Sequence, residues 1–195
     1  FTLDDTANIL ENWAIQISSL DPESLLYAVY SFQPGGGTRP LAMLTFALDF
    51  WRGGGLDPHV FKTTNLIIHA LTTFVLAFFF RNLFTLSGRS QRQADMAALA
   101  LALLWAIHPL QVSSVLYVVQ RMQTLSTLFL VLALLAYLAA RRAQIKGRSS
   151  RTAWLLVLFN WGMAFLAKED AVIFPAYALA IELTVLRFRA SSNET

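Results

Sequence analysis

Cysteine is absent from the 195-residue sequence, which excludes both a disulfide framework and a thiolate metal site and leaves the redox compartment open. Charge is scarce as well: Asp, Glu, Lys and Arg make up 14% of the residues, where a soluble protein carries about a quarter. Hydrophobic residues fill 56% of the chain, so a water-soluble domain is not the expected class. A cleaved leader is not visible either. Phe1 opens the sequence without a basic stretch, and the acidic Leu3-Asp4-Asp5 follows at once. The sequence reads as a fragment of a longer protein. Two Gly triplets, Gly35 to Gly37 and Gly53 to Gly55, adjoin Pro34 and lie before Pro58. They lack the strand, helix and Lys of a nucleotide-binding loop, and are expected to be turns.

What is present is apolar sequence in long runs. Residues 1–59 are mixed in character, with acids at Asp4, Asp5, Glu11, Asp21, Glu23, Asp49 and Asp57. Their apolar pieces, Leu25 to Phe32 and Leu41 to Trp51, are too short for a hydrocarbon core of about 30 Å, which takes about 20 helical residues. They suit helices lying in the interface, where Trp and Tyr are favoured. Beyond them, spans are expected at Thr63 to Phe80, Met96 to Ile107, Thr124 to Ala140, Thr152 to Ala167 and Ala171 to Leu186. A His108-Pro109 break and a further apolar piece, Leu110 to Val119, follow the second span. The fold class is therefore all-α, a polytopic transmembrane helix bundle. Its expected parts are an extracytoplasmic loop domain at 1–59 with interfacial helices, about five spans in 60–190, and a cytoplasmic tail at 191–195.

Basic residues orient the bundle, because Lys-rich and Arg-rich loops stay on the cytoplasmic side. Loop 81–95 holds Arg81, Arg89 and Arg92; loop 141–151 holds Arg141, Arg142, Lys146, Arg148 and Arg151; the end holds Arg187 and Arg189. These alternate along the chain, as they must if all lie inside. Residues 1–59, the region from His108 to Arg121, and Lys168-Glu169-Asp170 then lie outside. Asn193-Glu194-Thr195 fits an N-glycosylation acceptor but falls on the cytoplasmic side, so it is read as chance. The basic residues mark topology rather than nucleic-acid binding.

The outer face gathers the groups with chemical potential. Charges near hydrocarbon are costly unless paired or hydrated, and mark a functional site by default. Arg39, Arg121 and Lys168 run against the charge bias, and a membrane-anchored phosphate would give them a counter-ion. The plainer reading stands beside this one: Arg121 and Lys168 flank spans, where snorkelling is ordinary, and Glu169 or Asp170 can neutralise Lys168. Arg52 and Lys62 are read as anchors. Asp4 or Asp5 can act as a general base on an incoming hydroxyl, or merely cap and solvate. His108 stands at the Pro109 break, which frees backbone groups that need a polar cavity. His69 lies among Leu and Ile and is as much a helix-to-helix hydrogen-bond partner as a ligand. Three scattered histidines do not define a metal site, and a requirement for a divalent metal is left open. Glu182 is expected to pair with Arg187 or Arg189.

Several ordered blocks share a further property. Phe1-Thr2-Leu3-Asp4-Asp5 with Asn8-Ile9 and Asn12, Arg39-Pro40-Leu41, Phe46-Ala47-Leu48-Asp49, Gly54-Gly55-Leu56-Asp57-Pro58 and Asn65-Leu66-Ile67-Ile68-His69 come first. His108-Pro109-Leu110-Gln111, Tyr117-Val118-Val119-Gln120-Arg121 and Leu166-Ala167-Lys168-Glu169, with Pro175 and Glu182, follow. In this order they resemble the transmembrane and tetratricopeptide-repeat O-mannosyltransferase family and its bacterial relatives, over nearly the whole chain.

The resemblance implies a GT-C-type glycosyltransferase. Such an enzyme moves a sugar from a polyprenyl-phosphate carrier to a protein Ser or Thr hydroxyl on the extracytoplasmic side. The setting is the bacterial inner membrane, or the endoplasmic reticulum in a eukaryote. Its partners are membrane lipids, the lipid-linked sugar donor and a protein acceptor, with no nucleic acid. Asp4 and Asp5 match the acidic pair of the family's first outer loop, with Asp4 slightly favoured as base. Arg39, Arg121, Lys168 and His108 are then expected at the donor phosphate, with Glu169 and His69 in support. Thr38 before Arg39 and Asp170 after Lys168-Glu169 depart from the family pattern, and no tetratricopeptide repeat is present. The alternatives are a transporter or flippase component and a silent membrane scaffold. No internal repeat of the transporter kind is found.

Overall fold

A computed structural model describes Phe1, residues 5–32 and residues 38–189, and all the regular structure among them is helical. Asp4, the Gly35 to Gly37 triplet and Asn193-Glu194-Thr195 lie outside the described residues.

The short elements of the first 59 residues start where local chemistry starts a helix. Helix α1 (Pro22–Val29) has Pro22 in its first turn, and the Asp21 carboxylate accepts the Ser24 N–H at 2.9 Å. The same carboxylate accepts the Ser19 hydroxyl, and these bonds hold Asp21 well below the usual carboxylate range. Helix α2 (Pro40–Gly53) again begins on Pro, and ends on Gly54 at φ 66°, a left-handed position that favours glycine.

Helix α3 (Pro58–Leu86) is capped by Asp57, whose carboxylate accepts the His59 N–H. Its 29 residues reach about 43 Å. After a tight turn, a reciprocal Ser90–Gln93 capping box starts α4 (Gln91–Ala106). The chain turns at His108-Pro109 into the short α5 (Gln111–Leu116) and a 3₁₀ turn at Val118–Gln120, which runs into α6 (Arg121–Ile145). Helix α7 (Arg151–Ala167) returns along α6. The last stretch is a 3₁₀ turn at Glu169–Ile173, α8 (Phe174–Ile181) and a π turn at Glu182–Leu186.

Two helical stretches, Pro58–Leu86 and Val118–Ile145, are long and apolar enough to cross a membrane. Of the other expected spans, α4 has 16 residues and α7 has 17, or about 24 and 25 Å at 1.5 Å per residue. They fall short of a full hydrocarbon core of about 30 Å. The piece from Leu110 to Val119 is not one helix: Tyr117 is extended between α5 and the 3₁₀ turn.

Packing ranks the two long helices. The apolar stretch of α6 is 61% buried and that of α3 only 28%, so α6 is the central post and α3 an outer one. Leu134, Tyr137 and Leu138 of α6 meet Leu76 and Phe79 of α3, Val157 of α7, and Phe174 and Ile181 of α8. Outward, Ile67, Leu71, Phe74 and Phe78 of α3 form an exposed apolar stripe at helical spacing, and Leu155, Leu158 and Phe159 do so on α7. Side chains of this kind are at ease in hydrocarbon and costly in water.

Charge sorts to the two ends of this bundle. Arg81 pairs with Asp95 near the α3–α4 turn. Leu86, Ser87 and Gly88 share a cleft with Thr184, Arg187 and Arg189. Glu182 pairs with Arg141 rather than with Arg187 or Arg189, and also accepts the Tyr137 hydroxyl. Arg141 lies across the gap from α8, whereas Arg187 follows Glu182 on a backbone that has already turned left-handed, at φ 53°.

Candidate functional site

The other end is built around a single break in the chain. Where α5 stops and Tyr117 extends, the Val115 carbonyl loses its helical donor, because the Val119 N–H goes to Asp5, while the Tyr117 carbonyl keeps the Gln120 N–H of the 3₁₀ turn. The Asn65 side chain, fully buried on α3, donates to both at 3.1 Å. Its own oxygen accepts the Arg121 Nε–H at 2.7 Å. Arg121 is completely enclosed, and its Nη atoms donate to the carbonyls of Thr45 and Phe61. Its guanidinium lies over the Phe46 ring, 4.7 Å from the centroid. The counter-ion is Asp49, buried on α2, whose Oδ2 stands 2.6 Å from Nη2. That contact is an ion pair whose angle falls outside a hydrogen bond. Asp49 Oδ1 accepts from Arg52 and Thr64, so Arg52 is a member of this network and not a free anchor.

Arg121 was expected at a donor phosphate. The structure places it inside the helix junction, with its donors engaged by protein oxygens and its surface closed. A buried cation held this way fixes α2, α3 and α6 relative to one another.

The neighbouring expected residues attach at the corner where α6 starts, one to the 3₁₀ turn and two to the first turn of the helix. Asp5 is fully buried, and its Oδ1 accepts the Val119 N–H at 2.7 Å. Arg39 donates to the Met122 sulfur at 3.1 Å and stacks on Phe32. Lys168 donates to Gln123 Oε1 at 2.6 Å. Arg39 also grips Glu169 with two bonds, Nε to Oε2 at 3.0 Å and Nη2 to Oε1 at 2.5 Å. Arg39, by those bonds first, holds the Glu169 carboxyl below its ordinary range. Lys168 lies 3.7 Å from Asp170, which accepts the Ser126 hydroxyl. Lys168 reaches this position because it is extended, at φ −163° and ψ 144°, and ends α7.

The structure thus brings Asp5, Arg39, Lys168 and Glu169 to one end of α6, with Arg121 beneath them. The histidines stand apart. His69 reaches the Ala106 carbonyl through Nε2 at 3.0 Å and stacks on Trp105, joining α3 to α4. His108 is exposed, and its Nδ1 accepts the Leu110 N–H of its own turn. Among the described residues no three His, Asp or Glu side chains group as metal ligands. Asp49 and Asn65 stand in the ordered sequence blocks, but sequence reasoning gives them no part at the site. The signal was their place on buried helical stripes, Ala42-Phe46-Asp49 and Phe61-Asn65-Ile68. A separate cleft of about 440 Å³, lined by Asn12, Trp13, Glu23, Tyr27 and Tyr30, opens between α1 and the 3₁₀ turn at Trp13–Ile15.

An all-α bundle with a charged, partly enclosed end is compatible with part of a membrane helix bundle, and comparison with known proteins narrows the class. The chain is 33% identical over 141 residues to human protein O-mannosyl-transferase TMTC4, matching 69% of this chain and 19% of that protein. It is 32% identical over 150 residues to human protein O-mannosyl-transferase TMTC1, covering 74% of this chain and 16% of that protein. The Drosophila melanogaster protein O-mannosyl-transferase Tmtc2 matches at 30% over 142 residues, 70% of this chain and 14% of its own length. The chain therefore spans less than a fifth of the curated relatives it matches. It is homologous to these O-mannosyl-transferases at moderate identity over part of its length. No protein-family model matches, and no solved structure matches.

Proposed function

We propose that this chain is part of the membrane portion of a glycosyltransferase that moves a sugar from a polyprenyl-phosphate donor to a protein hydroxyl. The observation that carries the reading is the convergence on the corner that opens α6: Asp5 on Val119 of the 3₁₀ turn, Arg39 on Met122 and Lys168 on Gln123 of the helix. The homology to O-mannosyl-transferases supports the same class of chemistry. The apolar outer faces of α3 and α7 support an integral membrane placement, with the convergent end extracytoplasmic and the Arg-rich end cytoplasmic.

The roles divide as follows. Asp5 is spent on the Val119 amide and buried, so it positions its segment, and Asp4 is the base that takes the proton of the acceptor Ser or Thr hydroxyl. The hydroxyl oxygen bonds to the anomeric carbon as that carbon's bond to the phosphate oxygen breaks, and polyprenyl phosphate leaves. Arg39 and Lys168 meet the growing negative charge, with the phosphate exchanging for the exposed Glu169 on Arg39. His108, exposed at its own turn and apart from this cluster, takes no part. Arg121 holds the frame. The setting is the bacterial inner membrane or the endoplasmic reticulum.

The test is transfer of sugar from a polyprenyl-phosphate donor to a Ser/Thr peptide in vesicles carrying the full-length protein. Asp4→Asn is expected to abolish transfer while donor binding persists, and Arg39→Ala to weaken donor binding. Wild-type transfer by an Asp4→Asn, Asp5→Asn double variant would end the proposal. Donor binding without turnover by the unaltered protein would identify a scaffold instead.

A further inference from the structure

The Arg-rich end of the bundle holds a second constellation. Leu132, Leu135, Ala136 and Ala139 recur along one side of α6 at helical spacing. With Leu156 of α7 they wall a groove of about 490 Å³ between α3, α6 and α7. The small Ala136 and Ala139 make the depression. At its mouth stand Arg142 and Arg148, and among the described residues neither guanidinium has a hydrogen bond or an ion pair. The contrast with the preceding residue is sharp, because Arg141 is committed to Glu182. From Leu132 to Arg142, a ten-residue advance along α6 covers about 15 Å, half of a hydrocarbon core of about 30 Å. The groove therefore has the depth of one leaflet, apolar within and cationic at the rim.

We infer that this groove binds one anionic glycerophospholipid, with an acyl chain along the α6 stripe and the phosphodiester on Arg142 and Arg148. The arginine forks match a phosphate, which a zwitterionic headgroup screens with its own cation. A free anion has no use for the apolar wall. This site lies at the end of α6 opposite Arg39 and Lys168, so it is distinct from the proposed donor site. It rests only on the membrane placement and not on glycosyl transfer.

The experiment reconstitutes the full-length protein in vesicles of equal phosphatidylglycerol and phosphatidylcholine, extracts it in detergent, and counts retained lipid by native mass spectrometry. One phosphatidylglycerol is expected, favoured about thirty-fold over phosphatidylcholine, given two arginines near the surface. Arg142→Ala with Arg148→Ala should bring the ratio to about one. Ala139→Phe, at an exposed position with both arginines intact, should expel the lipid, whereas Lys146→Ala should leave the preference unchanged. Equal retention of both lipids, or a preference that survives Ala139→Phe, overturns the site. So does displacement of the lipid by inorganic phosphate alone. Release of the protein from vesicles by carbonate without detergent overturns the membrane placement itself and is read separately from lipid selectivity.

Discussion

The two ends of α6 treat arginine in opposite ways. At its start Arg121 is sealed, its charge met by Asp49 and its donors by Asn65, Thr45 and Phe61. Near its end Arg142 faces a groove with no counter-charge among the described residues. A buried cation whose partners come from α2 and α3 serves architecture, because removing it leaves Asp49 Oδ2 buried without its counter-ion. A partly exposed one beside an apolar groove is held in reserve for a ligand. The same residue type thus builds one end and equips the other.

The largest effect expected from breaking this contrast comes at the sealed end. Arg121→Met takes the counter-ion from Asp49 Oδ2, leaving only Arg52 and Thr64 on Oδ1, and should cost about 3 kcal/mol, seen as a lowered thermal unfolding midpoint in detergent. Adding Asp49→Leu should recover most of it. If Arg121→Met is neutral alone, the junction is not what fixes α2, α3 and α6. Next, Arg141→Ala should cost about 1.5–3 kcal/mol by removing charge-assisted bonds to Glu182, while Arg142→Ala, one residue on, should stay within about 0.5 kcal/mol. Equal effects in the two variants would erase the difference between committed and available arginines.

A smaller effect belongs to the rim of the convergent end. Glu169 is largely exposed, so its pair with Arg39 should contribute about 1 kcal/mol or less. Its carboxyl sits below the ordinary value of 4.5 in the folded chain. The contribution is then present above that ordinary value and fades as pH falls through the lowered folded value. Acid titration followed by circular dichroism should show Glu169→Gln less stable than the parent at about pH 6, with the gap narrowing as the pH falls below the ordinary carboxyl value. A difference that grows on acidification would reverse the sign and discard the pairing.

Much of the architecture was legible because its causes are local. Apolar runs mark helices without reference to anything distant, whereas the helix starts at Pro40, Pro58 and Ser90, the last inside what the sequence reads as loop 81–95, come from the structure. The division of charge between the ends was readable for the same reason: basic loops alternate with the rest. The junction was harder. Arg121 beside a span looks identical to a snorkelling anchor until Asp49, 72 positions earlier, is brought against it, and only packing does that. Glu182 shows the same limit, since its sequence neighbours Arg187 and Arg189 were plausible partners while Arg141 across the helix gap is the one that meets it. The extended backbone at Lys168, which turns that side chain toward Gln123, has no signature in composition.

The bond between Asp5 and Val119 closes a separation of 114 residues. On a ribosome adding about 5–20 residues each second, Asp5 emerges on the order of ten seconds before the amide that donates to it exists. Through that interval the segment around Asp5 has to wait undocked, and its settling becomes a late event in biogenesis, timed by synthesis of the α5–α6 corner.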